Sequence, residues 1–315
     1  MMRRSLGSSG LQVSVVGLGC NNFGGRTGFD ATRKVVHKAL DLGITLFDTA
    51  DIYGENGGSE DFLGRILGER RKDIVLATKF GMEFGASGAM KGASRRYIMS
   101  AVEDSLRRLK TDWIDLYQLH TPDPLTPIEE TLRSLDDLVG QGKVRYIGCS
   151  NMPAWQVVEA EWTARQHGWE RFICCQDEYS LVQRGLEREL QPAMQKYGLG
   201  LLPFFPLASG LLTGKYKRDS PAPTGTRFAT TQRLAERYGT AANWTIVEQL
   251  SAFAARRGHS LLELAFSWLL AHPQVASVIA GATRPEQLEE NVKAAAWALT
   301  SEELSEVDRL TSSRT

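Results

Sequence analysis

An acid, a phenol, an amine and an imidazole recur in this 315-residue chain near the ends of short apolar runs. Asp48 falls in ITLFDTA, Tyr53 follows it by five residues, Lys79 falls in DIVLATKFG and His120 closes WIDLYQLH. Each alone has an ordinary explanation: Asp48 a turn former or cap, Lys79 a solvated strand end, Tyr53 core packing, His120 a hydrogen-bonded structural histidine. Together they describe a proton donor. A free phenol, with a pKa of about 10, is a poor acid at neutrality, but a nearby ammonium favours the phenolate and lowers that value, each unit being worth about 1.4 kcal/mol. Lys79 can supply the charge, and Asp48 can keep a buried lysine ionised and oriented. His120 can polarise a carbonyl oxygen by hydrogen bonding, or share its proton with Tyr53. Protonating a carbonyl oxygen without a covalent nucleophile is what hydride addition requires.

These residues need a frame that brings separated strand ends to one place. Apolar runs rich in β-branched residues occur at 13–19, 44–50, 73–81, 113–120, 144–151, 171–176, 200–205 and 275–281, alternating with longer amphipathic segments. Runs apolar on both faces suit parallel strands covered by helices. Pro127 and Pro153 are expected in the first turns of their helices, and Gly43, Gly142, Gly168, Gly198 and Gly258 stand where left-handed C-caps are wanted. The pattern predicts an α/β fold, a (β/α)8 TIM barrel, whose strand C-termini converge on one mouth. Residues beyond the plain barrel are expected to form an N-terminal β-hairpin (MRRSLGSSGLQVS) capping its bottom, a long loop after strand seven (207–242) serving as a lid or cofactor strap, and a C-terminal helix (SEELSEVDRLTSSRT). One domain spanning 1–315 is expected. A doubly wound sheet also alternates strand and helix, but Gly17, Gly19 and Gly24 in GLGCNNFGG match neither G-x-G-x-x-G nor the P-loop spacing.

Lys and Arg total 37 against 37 Asp and Glu, so the formal net charge is zero and no charge block marks the chain for nucleic acid. No window approaches the roughly 18 uninterrupted apolar residues that span a bilayer. The N-terminal arginines are not followed by the apolar stretch of a secretory signal, so a cytoplasmic protein is expected. Cys20, Cys149, Cys174 and Cys175 lack C-x-x-C spacing and read as buried free thiols, and the histidines at 37, 120, 167, 259 and 272 form no ligand pair, so no metal is expected. Self-association is compatible with the sequence without being indicated by it.

The segments LGITLFDTADIYGENGGSEDFLGRIL, ATKFG and WIDLYQLHTPDPLTPIEETLRSLDDLVGQGKVRYIGCSN resemble those of the aldo-keto reductases, including the branch related to potassium-channel β-subunits. PLASGLLTGKY and GATRPEQLEEN are similar to that family's cofactor-binding segments. The resemblance implies NADPH-linked reduction of an aldehyde or ketone, with Tyr53 as the acid, Lys79 and Asp48 as its activators and His120 orienting the carbonyl. It further implies that Ser150, Asn151 and Gln176 hold the nicotinamide carboxamide, and that Phe204 stacks on the ring. Leu207, Ser209, Gly210 and Leu211, with Lys215, would follow the pyrophosphate, and Gly281, Thr283, Arg284, Gln287, Glu290 and Asn291 would surround the adenosine end. The residues themselves agree there: glycine, then Thr283 and Arg284, then a helix from Pro285 makes an anion site, and Arg284 favours a 2′-phosphate.

Two departures stand out. PFFP replaces the usual tyrosine and serine after strand seven, leaving Phe204 an aromatic face and adding the bulk of Phe205. Asp177 stands where many relatives have asparagine. Asn21, Asn22, Phe23, Phe80, Met82, Arg227 and Phe228 are candidates for lining the substrate mouth, which would suit hydrophobic carbonyls or, through the asparagines, a hydroxylated substrate such as a keto-sugar. The alternative is an NADPH-binding regulatory or scaffold protein with negligible turnover.

Overall fold

The computed structural model describes residues 1–84 and 91–312. Strands β1 (Arg3–Ser5) and β2 (Gln12–Ser14) pair antiparallel as the N-terminal hairpin. Then follow β3 (Val16–Gly19), β4 (Leu46–Asp48), β5 (Val75–Phe80), β6 (Ile114–Leu119), β7 (Val144–Ser150), β8 (Phe172–Glu178), β9 (Gly200–Phe204) and β10 (Val278–Gly281). Among the described residues these eight form one parallel sheet in the order β10-β3-β4-β5-β6-β7-β8-β9. Leu201 N–H donates to Gln274 O at 2.7 Å and Ala276 N–H to Leu201 O at 3.1 Å, drawing β9 towards the approach to β10 and nearly closing the (β/α)8 barrel.

Each barrel strand leads to helical structure on the outside: α1 (Phe29–Asp41), α2 (Tyr53–Leu67), α3 (Arg95–Leu109), α4 (Ile128–Gly140), α5 (Ala154–His167) and α6 (Leu190–Tyr197). The segment 207–242 is partly ordered into a 3-10 turn (Ala208–Thr213), α7 (Arg227–Thr230) and α8 (Gln232–Tyr238). Helices α9 (Ala241–Ala255), α10 (Leu261–Ala271), α11 (Pro285–Ala294) and α12 (Ser301–Thr311) complete the chain. Residues 313–315 of the expected tail helix lie outside the described residues. Ser260 with Glu263 and Thr300 with Glu303 form reciprocal capping boxes that start α10 and α12. Gly168 and Gly198 take the left-handed C-caps expected of them, at φ 68° and 70°. Pro127 and Pro153 stand one step earlier than expected, at the N-caps of α4 and α5.

Strand alternation divides the side chains into two populations. Phe47, Leu76, Phe80, Tyr117, Leu119 and Cys175 join the main core, packed with residues of the surrounding helices. Leu46, Ala77, Leu116, Cys174, Leu202 and Ile279 form a second, smaller core inside the barrel, and Leu6 and Val13 of the hairpin join it as a plug. Hydrogen bonds hold the plug in place: Arg4 Nη1 and Nη2 donate to Val275 O (2.9 Å) and Leu270 O (2.7 Å), while Thr45 N–H donates to Ser14 Oγ at 2.9 Å. The hairpin therefore closes the bottom, as expected. Two residues further along their strands, the inward positions of Leu46, Ala77, Leu116, Cys174 and Leu202 become Asp48, Lys79, Gln118, Gln176 and Phe204. The barrel interior thus changes from an apolar floor to a polar layer in one step of the pleat.

Candidate active site

The polar layer centres on Asp48. Lys79 Nζ donates to Asp48 Oδ2 at 2.7 Å and to Thr49 O at 2.9 Å, with the lysine side chain fully buried. Gln176 Nε2 donates to the other oxygen, Oδ1, at 2.8 Å, and Gln118 Nε2 reaches the same atom at 3.3 Å. Gln118 is a participant that the sequence reading missed. Its signal was parity, since it stands two residues before His120 on a strand whose inward positions alternate. Burial acts to pull the Lys79 ammonium down, but Asp48 and then Tyr53 more than offset it and hold the pKa above its ordinary value.

Tyr53 is brought over this pair by an unusual turn. Residues Gly54, Glu55, Asn56 and Gly57 all take left-handed backbone, at φ 70°, 59°, 67° and 101°. A Cβ at Gly54 would lie 2.3 Å from Phe23 O and 2.6 Å from Ser59 N, so the turn packs against the loop after β3 only because no side chain intervenes. Ser59 fastens the junction, donating to Cys20 O at 2.9 Å and accepting from Thr49 Oγ1 at 2.8 Å. As a result Lys79 Nζ lies 5.1 Å from the centroid of the Tyr53 ring. His120 meets that ring edge-on at 5.7 Å, with 82° between the planes. The four separated residues are one cluster.

The electrostatics differ from the sequence expectation in one respect. Burial raises the Tyr53 pKa, and Lys79 opposes the rise without cancelling it, so the phenol lies above its ordinary value rather than below it. Burial, with Lys79 second, pushes His120 down to about 3, so its imidazole is neutral at physiological pH. Its Nδ1 is buried without a hydrogen-bond partner.

Ser150, at the end of β7, and Gln176, two residues before the end of β8, are buried beside this cluster. Asn151 is left-handed (φ 57°) and reaches back to His120 O at 3.0 Å and to Ser150 Oγ at 3.0 Å. Phe204 is half-buried and meets Phe205 edge-on; Phe205 turns towards Tyr238, and the Arg227 guanidinium lies 5.7 Å from its ring centroid. Asp177 follows the inward Gln176 and so takes the outward position, where burial pushes its carboxyl up to about 8 against an opposing backbone hydrogen bond from Asn151.

The 3-10 turn after β9 buries Ser209, Gly210 and Leu211, with Ser209 Oγ unpartnered and Leu207 half-buried at its start. Lys215 lies across this turn, since a Cβ on Gly210 would come within 2.7 Å of its Nζ. At the other edge Gly281 and Arg284 are exposed, Thr283 and Gln287 half-buried, Glu290 exposed and Asn291 buried. Gln287 Oε1 accepts from Thr283 N–H at 2.8 Å and from Arg284 N–H at 3.3 Å, shaping the loop before α11. Among the described residues Arg26, Lys215, Arg227 and Arg284 form no ion pair. Partial enclosure, then Arg227, Arg26 and Arg284 together, lower the Lys215 pKa. Arg26 was not anticipated from the sequence; its Nη2 donates to Gly225 O at 3.3 Å.

The substrate-mouth candidates separate. Phe23 and Phe80 are fully buried, Phe80 against Tyr117 at 4.7 Å, so neither presents a surface to the mouth. Parity explains Phe80, because an inward Lys79 turns its neighbour outward. Met82 is 38% exposed, and Asn22, though buried, accepts from Arg227 Nη2 at 3.3 Å. All four cysteines are free and buried. Among the described residues no group of His, Cys, Asp and Glu converges as a metal site, and no helix is long and apolar enough to cross a membrane.

Residues 15–312 match the family model described as the aldo/keto reductase family. A probable voltage-gated potassium channel subunit beta of Oryza sativa subsp. japonica is 38% identical, over 93% of this chain and 91% of its own length. An L-glyceraldehyde 3-phosphate reductase of Escherichia coli is 35% identical, over 93% and 87%. An uncharacterised oxidoreductase of Bacillus subtilis is 37% identical, over 92% and 89%. With that match along nearly its whole length, and a barrel whose mouth holds Asp48, Tyr53, Lys79 and His120 together, the chain belongs to the aldo/keto reductase family.

Proposed function

We propose that this chain is an NADPH-dependent reductase of aldehydes or ketones in which Tyr53 gives the proton. The observation that carries the reading is the convergence of Tyr53 on a fully buried Lys79–Asp48 pair beside a neutral imidazole. The four cations without ion-pair partners, together with the unpartnered Ser209 Oγ and the start of α11, fit the pyrophosphate and 2′-phosphate of the dinucleotide. When bound, the dinucleotide supplies the hydride.

The chain's own residues do the rest. A phenol held above its ordinary pKa remains protonated across the physiological range, so Tyr53 has a proton to give to the carbonyl oxygen. Giving it creates a phenolate beside the Lys79 ammonium, an attraction absent before the transfer and therefore one that favours the transition state. Asp48, braced by Gln118 and Gln176, keeps that ammonium charged and aimed. His120 is neutral and offers a ring N–H to the carbonyl oxygen, positioning it without competing as the proton source. Ser150, Asn151 and Gln176 would hold the carboxamide, Phe204 would offer its ring to the nicotinamide, and Asn22, Met82 and Arg227 would border the substrate.

A scaffold reading draws support from the relatives named as potassium channel beta subunits. Mixing the protein with NADPH and a panel of aldehydes and ketones separates the two: consumption of the reduced cofactor supports the reductase, and tight NADPH binding with no turnover on any carbonyl supports the scaffold.

A further inference from the structure

We propose that Asp51 is a positioning residue for Tyr53, whose carboxyl must be neutral for the loop between Asp48 and Tyr53 to hold the phenol over Lys79. The proposal rests on the reading of Tyr53 as the donor. Asp51 lies two residues before Tyr53, is 1% exposed, and its backbone N–H donates to Lys79 O at 3.1 Å, so its backbone is joined to the catalytic cluster. Its side chain enters a second buried cluster. There Oδ2 accepts from Tyr97 OH at 3.0 Å, and Oδ1 is buried without a partner.

The groups around it come from every packed element. Helix α2 supplies Glu60, fully buried; α3 supplies Tyr97, Asp104 and Arg108; β5 supplies Thr78, and β6 supplies Tyr117, whose OH is also buried without a partner. Arg108 is already committed, since its Nε donates to Glu60 Oε2 at 2.7 Å, while Thr78 Oγ1 donates to Oε1 of the same residue at 2.5 Å. Asp104, at the edge, pairs with Arg107 at 2.6 Å. One cation therefore serves two buried carboxyls. An ionised Asp51 would be a buried anion beside Glu60, only partly offset by the Tyr97 hydroxyl, the shared Arg108 and the Ile52 backbone N–H, and so costs more than a neutral acid does. Consistently, burial and then Glu60 push Asp51 up to about 7.

Charging Asp51 leaves the cluster one remedy, which is to admit water. The adjoining pocket, partly open to solvent and lined by Asp51, Phe84, Tyr97, Ala101, Asp104 and Arg108, measures about 10 Å³, roughly one water. Enlarging it moves the Asp51 loop, and the left-handed turn at Gly54–Gly57 that follows Tyr53 packs closely on the loop after β3 at Gly54 and on the Arg108 side chain at Gly57. The displacement is delivered to the phenol. Below the midpoint the loop is set for reduction, and above it the rate falls.

The test measures kcat and KM against pH, at saturating NADPH, for the wild type, Asp51→Asn and, as a control for the other raised carboxyl, Asp177→Asn. The wild type and Asp177→Asn should lose kcat along a limb centred near pH 7, with KM moving little. Asp51→Asn should keep kcat flat there, within about threefold of the wild type's low-pH rate. In parallel, the tyrosine Cζ resonance assigned to Tyr53 by its loss in Tyr53→Phe is followed in wild-type holoenzyme, where it should shift with that same midpoint. The proposal is overturned if Asp51→Asn folds and keeps the limb, or if the Tyr53 resonance is constant from pH 6 to 8. The second result decides even if Asp51→Asn does not fold. Retained activity in Tyr53→Phe would sink the donor reading instead, and the resonance would still report whether Asp51 governs the ring.

Discussion

Lys79 and Asp48 form a buried ion pair at 2.7 Å whose ammonium lies 5.1 Å from the centre of the Tyr53 ring. Breaking such a pair strands the remaining charge in the barrel. Lys79→Met leaves a carboxylate without its cation and removes the charge proposed to stabilise a Tyr53 phenolate. We expect kcat to fall by about 10²–10⁴, with NADPH affinity little changed. Steady-state kinetics beside a cofactor titration checks this, and a loss confined to KM would count against it.

His120 is held neutral by burial and by Lys79, with its pKa near 3. A depressed histidine ionises only in acid, so between pH 5 and 8 it contributes no limb to the rate profile. His120→Gln keeps a hydrogen-bond donor without a titrating ring. Its pH profile should parallel the wild type's at lower kcat, and a limb lost on this substitution would show that His120 titrates in the working range.

The barrel and its four-residue cluster were legible in the sequence because both rest on periodicity. Alternating apolar runs give the strands, and residues at strand ends share a mouth wherever the strands close. What was not legible depends on environment. The direction of the Tyr53 shift is a contest between burial and Lys79, and spacing does not weigh the two. Phe80 and Asp177 were open to reading by parity from Lys79 and Gln176, but Phe23 and the left-handed turn at Gly54–Gly57 depend on how two loops pack. Gln118 is not among the strand-end residues, because it occupies the inward position just below one.

Partial burial, and then the charges of Arg227, Arg26 and Arg284, lower the Lys215 pKa, and among the described residues none of these four cations forms an ion pair. Bound phosphates would offset those charges. Arg284→Ala should weaken NADPH by about 1–2 kcal/mol and leave NADH nearly unchanged, if its guanidinium meets the 2′-phosphate. The ratio of kcat/KM values with the two cofactors measures this directly, and an unchanged ratio would remove Arg284 from the phosphate site.

The hairpin plug is a stability device separate from the chemistry. Leu6 is fully buried among Leu46, Leu116 and Leu202 on the barrel floor. Leu6→Ala should destabilise the fold by about 2–5 kcal/mol, with little change in kcat for the folded fraction. Denaturant unfolding reads the first quantity and turnover at low temperature the second; an undiminished stability would mean that the floor does not depend on the plug.

The most direct test of Tyr53 as the proton donor is Tyr53→Phe, which keeps the ring and removes only the hydroxyl. Carbonyl-dependent NADPH consumption should fall by about 10²–10⁴ in kcat, while NADPH binding, followed by fluorescence, stays within about threefold of wild type. A Tyr53→Phe enzyme that turns over at the wild-type rate would contradict the assignment.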